Sequence, residues 1–147
     1  MRRILSARRT KIIVDIFMTV FLALSFVRWE DSNFIFHAVV GTACAIFFSL
    51  HVCIHWRWLV AVTKSLFAGK MKAALRWKYA IDVLLLVVWA IAIASGFLAI
   101  GYFSFNMAGM AWLSAVHGAS TRVGLGIVAV HVVQHVPQIR SYFRGRR

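Results

Sequence analysis

The sequence has few acidic residues and lacks the short motifs of most soluble enzymes. Only four of its 147 residues are Asp or Glu, and they are too dispersed to form a catalytic pair of carboxylates. No glycine-rich phosphate loop follows a strand pattern, and no H-E-x-x-H zinc motif occurs. The lack of a C-x-x-C-H motif argues against covalent c-type haem attachment. The two cysteines, Cys44 and Cys53, are out of phase for a bridge within one helix and are interpreted as packing residues.

Long apolar runs make up most of the chain. The apolar content is 62%, whereas soluble proteins have about 45–50%. A helix needs about 20 residues to cross a hydrocarbon core of roughly 30 Å. Four runs meet this length, at residues 12–29, 34–59, 79–104 and 112–136. They are continuous rather than alternating, so the sequence predicts an all-α membrane protein with residues 1–147 as a single domain.

The basic residues are distributed unevenly along the chain. All 17 Lys and Arg residues except Arg28 and Arg122 lie in residues 2–11, 57–78 and 140–147, and the connections 30–33 and 105–111 have none. By the positive-inside rule, this predicts a four-helix transmembrane bundle, up-down-up-down, with both termini in the cytoplasm. Anionic membrane lipids account for the net charge of +13, so no nucleic acid partner is expected. The basic connection 63–78 is expected to form a short interfacial helix.

The six histidines fall in the second and fourth runs at matching positions. Each histidine of the first set has a counterpart in the second at one constant offset: His37 with His117, His51 with His131, and His55 with His135. A separation of fourteen residues is about four helical turns, or roughly 21 Å along the axis. Supercoiling in a left-handed bundle brings both positions onto one face. Since the second and fourth spans run parallel in an up-down bundle, the histidines are expected to meet in pairs at two depths.

Paired imidazoles at two depths predict two haems. Polar groups inside a bilayer are costly and tend to be kept for function. An iron that takes one axial nitrogen from each side satisfies both imidazoles, and helix bundles commonly hold such cofactors in their cores. A zinc or copper site usually collects three or four ligands at one level instead. The prediction is two b-type haems, with His37 and His117 on the outer iron and His51 and His131 on the inner iron.

The sequence alone does not fix the inner pair. His55 lies eighteen residues after His37 and is in phase with it in a straight helix, so His55 and His135 remain an alternative inner pair. If they are not the ligands, they lie one turn nearer the cytoplasm. There they would serve as propionate partners, as bases in a quinone site, as ligands of a third centre, or as snorkelling interfacial residues.

Four further residues have two interpretations each. Arg122 is expected to pair with a propionate of the outer haem, and otherwise to snorkel. Gly124, seven residues from both His117 and His131, is expected to keep the surface between the haems slim, and otherwise to serve helix packing. Asp15 and Asp82 are expected in the first turns of their spans, where the helix dipole and nearby cations stabilise them; a proton relay is the alternative.

The histidine pattern resembles a known family. H-x13-H on two parallel spans resembles the membrane di-haem b-type cytochromes, which include quinone-linked subunits of respiratory complexes. The compact four-span form, with His51, His55 and Trp56 as H-x3-H-W, most resembles the bacterial flavinylation-associated cytochromes, and the resemblance covers nearly the whole chain. It implies a multi-pass protein of the bacterial cytoplasmic membrane. Such a protein passes electrons between the quinone pool or a cytoplasmic donor and an extracytoplasmic flavoprotein or cytochrome, as an electron-transfer subunit of a multi-subunit, quinone-linked oxidoreductase.

Two other classes of function stay open on the sequence. The first is a transporter or sensor of zinc or copper, in which the histidine triplets carry the metal. The second is a membrane subunit that anchors or assembles a larger complex without redox work of its own. The presence of haem or of bound zinc distinguishes the three.

Overall fold

A computed structural model describes residues 2–27, 34–105 and 112–143. These residues form four α-helices and no β-strand: α1 at Arg2–Ser25, α2 at Phe34–Phe67, α3 at Ala73–Phe105 and α4 at Trp112–Phe143. The all-α class predicted from the apolar runs is therefore confirmed for the described part of the chain. Arg28 and the connections 30–33 and 106–111, on which part of the charge argument depends, lie outside the described residues.

Within the described part of the chain, three helices are long and apolar enough to cross a membrane. Their candidate spans are Phe34–Phe67, Ala73–Gly101 and Trp112–Ser141. A helix as long as α2 extends about 51 Å at 1.5 Å per residue, which exceeds a hydrocarbon core of about 30 Å. The helices therefore continue beyond the apolar runs, because charged side chains at their ends do not interrupt backbone hydrogen bonding.

Helix α4 also passes the point at which its apolar run ends. The predicted span stops at Val136, but the helix includes Pro137 and reaches Phe143. Proline lacks an amide hydrogen, so the carbonyl of Val133 loses its partner four residues along the helix. Membrane helices tolerate such a proline where other groups satisfy the freed carbonyl.

The basic connection does not form a separate interfacial helix, so that prediction was wrong. Residues 63–67 are the last turn of α2, residues 73–78 begin α3, and five residues join the two helices. Gly69, at φ +70°, ends α2. Its amide donates to the carbonyl of Leu66 at 3.0 Å, and the amide of Lys70 donates to the carbonyl of Ser65 at 3.1 Å. This is a Schellman motif, in which glycine avoids the strain of a left-handed backbone.

The chain divides into two compact units, Met1–Lys64 and Ser65–Arg147. We call them the N-terminal hairpin, where α2 packs against α1, and the C-terminal hairpin, where α4 packs against α3. In the N-terminal hairpin, Phe47 of α2 stacks with Phe17 and Phe21 of α1, with ring centroids 5.1 and 5.5 Å apart. In the C-terminal hairpin, Trp89 of α3 is buried. Side-chain contacts described below show that the two helices of each hairpin run antiparallel.

Replacement of Gly69 tests how α2 ends. Gly69→Ala should lower the free energy of unfolding by about 1–2 kcal/mol, because an L residue in the left-handed region is strained. Apart from the chain neighbours, no atom of the described residues lies within 4 Å of the added Cβ, so the cost is conformational rather than steric. The measurement is the midpoint of thermal unfolding, with all variants in the same detergent. Gly101→Ala is the control, because Gly101 is helical and its added Cβ also meets no atom. Equal midpoints for the two variants would contradict this account.

Candidate functional site

In the N-terminal hairpin, an aspartate of α1 contacts a histidine of α2. Oδ1 of Asp15 accepts a hydrogen bond from Nδ1 of His51 at 2.7 Å. The ring of His55 lies beside that of His51, with centroids 4.7 Å apart. One ligand atom from each of these three residues lies within 4.8 Å of the other two. The apolar helices thus bring a carboxylate and two imidazoles to one level.

The C-terminal hairpin repeats this arrangement with more partners. Oδ1 of Asp82 on α3 accepts hydrogen bonds from Nδ1 of His131 at 2.7 Å and from Nε2 of Gln134 at 3.0 Å. Nε2 of His135 lies 3.5 Å from the same oxygen. Lys78 donates to the backbone carbonyl of Gln134 at 3.2 Å. Nε2 of His135 and Oε1 of Gln134 are buried without a hydrogen-bond partner among the described residues, which is costly unless a further group binds there.

The other pair of predicted ligands contacts backbone carbonyls instead. Nδ1 of His37 donates to the carbonyl of Ser25 at 3.1 Å, and Nδ1 of His117 donates to the carbonyl of Ala92 at 2.8 Å. Gly96 allows the second contact, because a Cβ at this position would lie 2.9 Å from Cε1 of His117. Because Gly96 has no side chain, the imidazole of His117 approaches α3 closely enough to reach the carbonyl of Ala92.

In all four predicted ligands, the ring nitrogen Nδ1 forms the hydrogen bond to the neighbouring helix. Carbonyl and carboxylate oxygens only accept hydrogen bonds, so Nδ1 carries the hydrogen in His37, His51, His117 and His131. In a neutral imidazole, Nε2 then carries the lone pair. Histidines that bind metals commonly donate their other ring nitrogen to a carbonyl or carboxylate, which fixes both tautomer and ring orientation. The four side chains have this chemistry.

The two aspartates were wrongly explained by their position in the helix. No acidic residue lies in the first turn of α1 or of α3. Helix α1 begins at Arg2 and α3 at Ala73, well before Asp15 and Asp82. Since the dipole effect fades within one turn, it does not account for either carboxylate. Both aspartates belong to the site through their histidine contacts.

A repeated motif could have identified these aspartates from the sequence. R-x-K-x-x-x-D occurs at Arg9–Asp15 and again at Arg76–Asp82. Ser25 and Ala92, whose carbonyls accept from the other histidines, are separated along the chain by the same offset as the two motifs. The histidines themselves repeat at a longer offset, because the second hairpin has more residues between its two sets of contacts. Each hairpin therefore presents the same two contacts in the same order.

Arg122 and Gly124 lie on different surfaces of α4. The guanidinium of Arg122 extends over Gly118, one turn earlier in the helix, and the residue is exposed. Gly124 is buried, and a Cβ there would lie 3.3 Å from Val88 and 3.4 Å from Trp89 of α3. In the C-terminal hairpin, Gly124 thus serves close packing of the two helices. Pairing of Arg122 with a haem propionate stays a prediction.

No family model, characterised protein or solved structure matches this chain. The resemblance of its histidine pattern to the di-haem cytochromes therefore stays a prediction. The chemistry of the two hairpins is therefore the basis for assigning a function.

Replacement of Gly96 tests the placement of the His117 ring. Gly96→Ala should displace the ring and break its hydrogen bond to Ala92, because the added Cβ would overlap the imidazole. Nitrogen NMR of histidine-labelled protein should show a hydrogen-bonded Nδ1–H for His117 in the original protein and its loss in the variant. Gly126→Ala is the control, since no atom of the described residues lies within 4 Å of its added Cβ apart from the backbone of its own helix. An unchanged His117 signal in Gly96→Ala would show that the ring does not lie against α3.

Proposed function

We propose that the protein is a membrane b-type cytochrome that holds two haems and relays single electrons across the bacterial cytoplasmic membrane. One observation carries the proposal: four histidines at two matched spacings each donate Nδ1–H to a neighbouring helix. This leaves the lone pair on Nε2, the nitrogen that an axial ligand would offer to iron. The donor chemistry of the four side chains therefore fits two haems with a histidine on each side of each iron.

The proposed assembly is a four-helix bundle in which α1 is a fourth span. The positive-inside rule then puts both termini in the cytoplasm, with His51 and His131 nearer the cytoplasmic side. Pairing of α2 with α4 rests on the equal H-x13-H spacing, which gives two levels about 21 Å apart along the helix axis. His37 and His117 would hold the outer haem, and His51 and His131 the inner one.

The hydrogen bonds favour His51 and His131 over His55 and His135 as the inner ligands. Asp15 and Asp82 fix Nδ1 of the first two histidines and leave Nε2 as the ligating atom. By contrast, Nε2 of His135 lies 3.5 Å from Asp82 and has no hydrogen-bond partner among the described residues, so this contact does not fix which nitrogen of the ring carries the lone pair. His135, and by analogy His55, would therefore be neighbours of the inner site rather than axial ligands.

Haem iron supplies the one-electron chemistry, and the chain supplies ligands, burial and nearby charge that set its potential. Electrons would come from a quinol or a cytoplasmic donor and leave to an extracytoplasmic flavoprotein or cytochrome. On this proposal the protein is an electron-transfer subunit of a quinone-linked oxidoreductase. Its resemblance to the di-haem cytochromes supports these partners.

Histidine variants test the ligand assignment. His131→Ala should retain one haem per chain, because the outer pair is intact, whereas His135→Ala should retain two. The measurement is haem content by the pyridine haemochrome spectrum, relative to protein. Two haems in His131→Ala would refute the assignment of His131, and one haem in His135→Ala would move the inner site to His55 and His135.

A divalent-metal site is the second candidate. It is favoured by the clusters of Asp15, His51 and His55 and of Asp82, His131 and His135, each with three ligand atoms within 4.8 Å. Two imidazoles and a carboxylate suit zinc or copper. If this candidate is correct, the purified protein is free of haem and binds two zinc ions, and His135→Ala binds one. Elemental analysis measures this directly, and haem with negligible zinc would exclude it.

A further inference from the structure

We infer that Asp15 and Asp82 hold the reduction potential of the inner haem below that of the outer haem, and thereby direct electrons outward. This inference rests on the proposed haem function. Both aspartates are positioning residues that act through the histidines they contact.

The hydrogen-bond acceptors differ between the two levels. Both inner histidines, His51 and His131, donate to carboxylates at 2.7 Å. Both outer histidines, His37 and His117, donate to neutral backbone carbonyls at 3.1 and 2.8 Å. The N-terminal and C-terminal hairpins each show this difference independently, so it recurs in both units.

A carboxylate acceptor raises the basicity of an imidazole more than a carbonyl acceptor does. Hydrogen bonds to an ionised acceptor are shorter and stronger than those between neutral groups, and they raise the basicity of the ligating nitrogen. A more basic ligand stabilises ferric iron over ferrous iron and so lowers the potential. The negative charge adds to this effect, because ferric iron carries one more positive charge.

The two carboxylates are expected to lower the potential of the inner haem by different amounts. The side chain of Asp82 is 12% exposed, whereas that of Asp15 is 41% exposed. A charge acts more strongly where it is more deeply buried in the protein, because the local dielectric constant is lower. Lys78, the cation nearest to this network along α3, donates to the carbonyl of Gln134 rather than to Asp82. Asp82 should therefore contribute the larger share.

At the outer level, the nearest cation along α4 is Arg122, five residues after His117. A positive charge there favours ferrous iron and acts in the opposite direction to the aspartates. With haems held by the two histidine pairs, one electron supplied by a quinol or a cytoplasmic reductant would move from the haem at His51 and His131 to the haem at His37 and His117. The inner haem would be oxidised as the outer haem is reduced, and a flavin or haem acceptor would then remove the electron.

Potentiometric titration of the purified protein, followed at the haem absorption bands, tests the inference. The original protein should show two midpoint potentials. Asp82→Asn should raise the lower midpoint and leave the higher one in place, and Asp15→Asn should raise it by less. Asp82→Glu is the matched control, because it keeps a carboxylate and should keep the lower midpoint near its original value. Haem content is measured in each variant.

Histidine variants assign the two midpoints. The haem retained in His131→Ala should titrate at the higher midpoint, and the haem retained in His117→Ala at the lower one. Reversal of this order would overturn the inference, and so would an unchanged lower midpoint in both Asp→Asn variants. If Asp82→Asn loses the inner haem, Asp15→Asn decides alone.

The same preparation distinguishes failure of the proposed function from failure of the inference alone. Absence of haem from the original protein would refute the proposed function and this inference together. Two haems whose potentials do not respond to Asp15 or Asp82 would refute only the inference.

Discussion

The hydrogen bond from an imidazole Nδ1–H to an oxygen of the neighbouring helix is the interaction on which the candidate site depends. A polar ring on an apolar helix is costly in lipid unless it finds a partner. The acceptors are of two kinds: the carboxylates of Asp15 and Asp82, and the carbonyls of Ser25 and Ala92. Each bond links the two helices of one hairpin and fixes which nitrogen of the ring carries the lone pair. Helix register, tautomer and the nitrogen that keeps its lone pair thus follow from one contact.

The apolar runs predicted much of the fold, but not where the helices end. Hydrophobicity identifies α2, α3 and α4, because each must bury or expose to lipid a long apolar surface. It does not mark the ends, since Lys and Arg are good helix formers and continue the backbone ladder into water. The Schellman motif at Gly69 decides where α2 stops. A single glycine in a basic stretch was too weak a signal to locate that end.

The histidines of the site were predictable, whereas their partners were not. Equal spacing marks the histidines on any helix, but Asp15 and Asp82 are recognised only when two helices are placed in register. The repeat of R-x-K-x-x-x-D was the available signal, and interpretation of each aspartate by its local surroundings missed it. The roles of the glycines differ for the same reason. Gly124 has the right spacing from the histidines but packs on Trp89, while Gly96 on α3 is the glycine that admits His117. Spacing along one helix does not show which surface faces the other.

In both hairpins the aspartate of R-x-K-x-x-x-D accepts a hydrogen bond from a histidine, but the surrounding side chains differ. Asp82 is therefore more deeply buried than Asp15. Gln134 adds a second donor to Asp82, whereas the equivalent position in α2 is Ile54.

The most direct test of the central claim is the ratio of haem to protein in the purified chain, measured by its absorption spectrum. The account predicts two b-type haems per chain, with a Soret band and sharp α and β bands on reduction. A colourless protein would contradict it.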